Sequence, residues 1–93
     1  MATFSRSHQF TSGVAPLFAP AAPHVVHGRT TVSIWSNDGA AFTLRITRPA
    51  GVAINLLVPA FPANHWETPL HPDETFVIEA SSVAGSAINV VTI

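Results

Sequence analysis

The chain has 93 residues, a formal net charge of −1, no cysteine and no lysine. That length suits one domain with a small core, and the missing cysteines exclude disulfides and thiolate metal sites. The near-zero charge gives no electrostatic footprint for nucleic acid, and there is no run of about 20 apolar residues to span a membrane.

Charged residues make up only 10% of the chain, against about 25% in ordinary soluble domains. Hydrophobic residues reach 47%. A surface of this composition, left bare, tends to self-associate, so part of it is expected to be covered by other protein. The opening MATFSRSHQF has no hydrophobic core of a signal peptide, which leads to the expectation of a protein made and assembled in a cytoplasm.

In chain order, residues 1–28 show little regularity and carry Pro16, Pro20 and Pro23. They are expected to form an extended N-terminal arm, with HVV at 24–26 able to add a strand. Residues 29–93 have β-branched runs and closely spaced turn signals, the rhythm of an antiparallel β-sandwich. The first strand is expected at 29–37, with Val32 and Ile34 on one face and Ser33 and Trp35 on the other. Asp38-Gly39 reads as a hairpin turn. In the second strand, 41–48, Phe42, Leu44 and Ile46 alternate inward against Thr43, Arg45 and Thr47. A third strand, 52–58, puts Val52, Ile54, Leu56 and Val58 on one face. Residues 59–74 hold four prolines and read as a long connection, unable to be a central strand. Strands at 75–80, with Phe76 and Ile78 inward, and at 87–93 complete the set. The last is apolar with no lysine to guard it, as expected of an edge that pairs with another chain.

No residue pattern points to catalysis. The chain lacks a G-x-S-x-G elbow and a phosphate-binding glycine loop, and no carboxylate pair is placed for acid–base work. His24 and His27 are three apart in an extended segment, so they face opposite sides. His65, Glu67 and His71 share a loop and are the one constellation able to converge on a metal. Against that stands the plainer reading of surface histidines, so no metal or cofactor is expected. The two tryptophans carry more weight. An outward Trp35 is either the second buried face of a sandwich, a protein anchor or a platform for a sugar ring. Trp66, beside Phe61 in the proline-rich stretch, is expected at an interface or packed in its loop.

The stretches TVSIWSNDGAAFTLRI, LHPDETFVIEA and AGSAINVVTI resemble the small β-sandwich virion proteins of tailed phages, of the head decoration (cement) type. The resemblance covers about two-thirds of the chain and is structural rather than catalytic; the PAFPANHWETP stretch departs from it. It implies a jelly-roll-like sandwich on the outside of a capsid, bound to the major capsid protein and to itself as a trimer or dimer. The location would be the virion surface, assembled in the host cytoplasm. A phage neck, tail or head-fibre role and a carbohydrate-binding module are the alternatives. In this picture the N-terminal arm is held by Leu17, Phe18, Val25 and Val26, and Phe61 and Trp66 add to the contact with a partner. The arm has two courses open to it: onto a neighbouring subunit, or back along an open edge of its own sandwich.

Overall fold

The computed structural model describes residues 6–21, 23–25, 30–48, 51, 53–70 and 75–92, with the backbone alone for Arg6, His24, Val25 and Thr30. These residues form only strands and their connections. The strands are β1 (Arg6–Thr11), β2 (Gly13–Val14), β3 (Ala19–Pro20), β4 (His24–Val25), β5 (Thr30–Ser36), β6 (Phe42–Thr47), β7 (Ile54–Val58), β8 (His65–Leu70), β9 (Thr75–Ser82) and β10 (Ala87–Thr92). One sheet has the order β1-β10-β5-β8; the other has the order β2-β9-β6-β7, with β3 and β4 also on β9. Take 13–25 as a single position. The first strand then lies beside the last, with the third and sixth completing that sheet, and the second, seventh, fourth and fifth make the other. This is the strand order of a jelly roll.

Alternation with period two builds the core. Val32 and Ile34 of β5, Phe42, Leu44 and Ile46 of β6, Phe76, Ile78 and Ala80 of β9, and Ile88 and Val90 of β10 are all buried between the sheets. Phe10, Leu56 and Trp66 pack against this cluster from the margins. The inward faces of β6 and β9 are those the alternation predicts, and of the two faces it separates in β5 the one carrying Val32 and Ile34 is buried.

Three expectations are corrected by the pairing. Asp38-Gly39 does turn the chain, with Gly39 at φ 78°, but it does not close a hairpin. Both edges of β5 are taken by β10 and β8, and both edges of β6 by β7 and β9, so the turn is an arch between sheets. The proline-rich stretch contains a strand, β8, and Pro69 lies within it. It pairs only with β5, an edge position, where a proline is tolerated. The C-terminal strand is not an edge: β10 lies between β1 and β5. In β7 the expected face holds: Ile54, Leu56 and Val58 lie opposite inward Ile46, Leu44 and Phe42, with Ile54 52% exposed because β7 is an edge; Val52 lies outside the described residues.

The N-terminal segment is extended, and it follows its own sandwich. β1 pairs with β10 along its whole length. After crossing between the sheets at Ser12, the chain hooks parallel to the end of β9 (Gly13↔Ser81), reverses, and runs antiparallel down that edge (Ala19↔Ala80, His24↔Phe76). The Ala21 amide donates to the Ile78 carbonyl at 2.7 Å. Of the two courses open to the arm, residues 13–25 take the one along their own sheet, satisfying backbone groups that an exposed β9 edge would leave unpaired. Gly28, the expected domain boundary, lies outside the described residues.

Candidate functional site

Because β1, β5, β7 and β9 all run toward the same end of the sandwich, the connections 12–18, 37–41, 59–64 and 83–86 gather there. Beneath these loops is a polar lattice. The Ser86 amide donates to Ser82 Oγ at 2.9 Å, Ser12 Oγ and Ser82 Oγ share a hydrogen bond of 2.9 Å, and the Ser12 amide donates to the Ser86 carbonyl. Ser86 Oγ donates to Asp38 Oδ2 at 2.9 Å, and the Ala40 amide donates to Asp38 Oδ1 at 3.1 Å. These bonds, the Ala40 amide first, hold the Asp38 carboxyl below its ordinary value of 3.8. Ser36 Oγ donates to the Ala40 carbonyl, and Asn64 Nδ2 donates to the Ser36 carbonyl and Oγ. Ser12, Ser36, Ser82 and Ser86 are buried, and each has a partner, so the loops stand on a fixed base.

Apart from Asn37 and Asp38, the exposed side chains of these loops are apolar. Leu17 is 71% exposed, Phe61 77%, Val83 86% and Val14 58%. Phe61 is held by its amide, which donates to the Gly39 carbonyl at 2.7 Å. Gly39 is free of a Cβ where one would stand 3.0 Å from Phe61 Cβ. At Gly13 a Cβ would run into the Leu17 carbonyl, so glycine is what lets the 13–19 hook close and present Leu17.

The side chains expected to hold a partner are therefore dispersed. Leu17 and Phe61 stand exposed at the loop end. Phe18 is partly buried, with its ring 4.4 Å from the Arg45 guanidinium carbon. Arg45 in turn donates from Nε to Glu79 Oε2 at 2.6 Å, a bond that raises its pKa. Phe18 thus caps an ion pair of its own domain. Trp66 faces the core, because it pairs with buried Ile34 and packs against the buried cluster. Val25 contributes backbone pairing to Thr75, and Val26 lies outside the described residues. His65 Nε2 is 3.1 Å from Glu67 Oε1; His71 lies outside the described residues. Among the described residues no group of three or more His, Cys, Asp or Glu is close enough to hold a metal ion.

Two features escaped the sequence. Val83 signals itself only as an apolar residue inside the turn composition SSVAGS. On the outer face of the first sheet, Gln9 Nε2 donates to Asn89 Oδ1 at 3.0 Å and Asn89 Nδ2 to Asn37 Oδ1 at 3.4 Å. These partners are 80 and 52 residues apart, beyond any local pattern. The chain is a small all-β protein of two sheets; no family model, no curated protein and no solved structure matches it.

Proposed function

We propose that this chain is a non-enzymatic structural protein of a tailed-phage virion, a decoration protein that docks on the major capsid protein through its loop end. The observation that carries the reading is the apolar loop end, where Val14, Leu17, Phe61 and Val83 stand exposed over a hydrogen-bonded polar base. Fully burying a side chain of this kind is worth about 1.5–3 kcal/mol. A fixed base means that little ordering entropy is lost on docking. The low charge of the chain and the jelly-roll order agree with the resemblance to head decoration proteins.

The reading is tested on the particle. Virions carrying the chain are purified, the chain is quantified against the major capsid protein, and the free protein is rebound to stripped capsids. A copy number comparable to the major capsid protein, with rebinding weakened by Leu17→Ser and Phe61→Ser, supports the proposal. A copy number that is a small fraction of the capsid protein points to the neck or tail. Absence from the particle overturns the reading.

A further inference from the structure

The outer face of the first sheet carries a second surface, which meets the loop end at Asn37 and differs from it in chemistry. Strand register places Gln9, Asn89, Trp35 and His65 in one row across β1, β10, β5 and β8. Trp35 faces outward from a central strand, since its neighbours Ile34 and Ser36 are buried. Beside it lies an open groove of about 250 Å³ lined by Ser7, His8, Gln9, Trp35, Asn89 and Val91. We infer that this face binds a neutral saccharide, with a pyranose ring stacked on Trp35 and its hydroxyls bonded to the Gln9–Asn89–Asn37 amides.

Three observations favour this occupant. Apart from His8 the groove lining contains no ionisable side chain, and no Asp, Glu, Lys or Arg, so its polar groups are mainly those that suit a neutral ligand. An indole face carries negative quadrupole density that attracts the C–H face of a sugar ring. The amide ladder holds Asn89 at both ends, as acceptor from Gln9 and donor to Asn37. Gln9 Oε1 and Asn37 Nδ2 have no further partner among the described residues, so an acceptor and a donor remain at its two ends. Vicinal hydroxyls, each both donor and acceptor, match such a set. A proline-rich peptide would ask for a groove lined by several aromatic rings, and this groove has one indole. The volume lies below the range of about 300–1,000 Å³ for enclosed sites of drug-sized ligands, which suits one or two rings lying on the surface. The strands under the row fix its geometry better than loops would.

The experiment titrates the intact protein with cellohexaose, mannohexaose and chitohexaose, and with a proline-rich peptide, following amide and indole NMR signals. The proposal expects at least one hexasaccharide to shift the Trp35 indole and the Gln9 and Asn89 side-chain amides, with affinity near the millimolar level. Trp35→Ala should weaken that binding about tenfold or more, and Asn89→Ala severalfold. Both variants should keep a native-like spectrum, because neither side chain is in the core. Phe61→Ser, at the loop end, should bind the sugar as the parent does, so failure of this site and failure of capsid docking are read separately. Three results overturn the proposal: no shift with any hexasaccharide, shifts that persist in Trp35→Ala, or binding of the peptide in place of the sugars.

Discussion

Replacing Phe18 and Leu17 in turn asks what the N-terminal segment is for. The two are adjacent, yet the structure gives them opposite surroundings. Phe18 is partly buried over the Arg45–Glu79 pair, whereas Leu17 is 71% exposed. Removing a partly buried phenylalanine ring forfeits about 1–2 kcal/mol of apolar burial, and loss of the cation–π contact acts in the same direction. In a domain of this size 1 kcal/mol moves Tm by about 4–8 °C, so Phe18→Ala should lower Tm by about 5–15 °C. Leu17 has less than a third of its surface to lose, so Leu17→Ala should cost about 0.5 kcal/mol and move Tm by about 3 °C. The assay is thermal unfolding followed by circular dichroism, repeated as urea midpoints to check that the slope is unchanged. The reasoning is refuted if Phe18→Ala melts within about 2 °C of the parent, or if Leu17→Ala is the more destabilised of the pair. Rebinding to stripped capsids should show the reverse order: Leu17→Ala loses affinity, and Phe18→Ala keeps it at temperatures where it is folded.

Two further predictions follow from the loop end. Gly13→Ala sets a Cβ against the Leu17 carbonyl; backbone must move, so a loss of about 1–3 kcal/mol is expected, with faster amide exchange at Ala19 and Ala21, and unchanged exchange there would contradict the hook geometry. Asp38 has a folded pKa below its ordinary value, owing to the Ala40 amide and then the Ser86 hydroxyl. Its contribution to stability is therefore fully present above the unfolded value of 3.8 and is lost as pH falls through the lower folded value. Urea midpoints of Asp38→Asn should run parallel to the parent above that window and lack its added fall below it; an identical acid limb in both proteins would disprove the assignment.

Much of the strand content was legible because β-structure writes a local period of two. Phe42, Leu44 and Ile46 identify the inner face of β6 without any knowledge of its neighbours, and Phe76 and Ile78 do so for β9. Pro69 correctly kept its segment out of a sheet centre, although it did not keep it from being a strand, because an edge strand tolerates a missing donor. HVV at 24–26 has the β-branched composition of a short strand, and His24–Val25 pair with β9.

The candidate surfaces were less legible. Alternation puts Trp35 on the face opposite Val32 and Ile34 but does not say which face is outside, and Trp66 has no alternating run to place it; register decides both, with Trp66 opposite buried Ile34 and Trp35 opposite Asn89 and His65. Leu17 and Phe18 are equally apolar, and the path of the 13–19 hook decides which one remains at the surface.

By itself the sequence determined an all-β chain with a small apolar core, low charge and the inward faces of β6 and β9. Alternation and turn chemistry are short-range, and they act before strands choose partners. Tertiary structure alone decided the pairing. It made Asp38-Gly39 an arch, moved the C-terminal strand to the middle of a sheet, and laid β2, β3 and β4 along β9. A period of two fits a hairpin and an arch equally well. The choice between them depends on which strand edges are already occupied, and those edges belong to residues far apart in the chain.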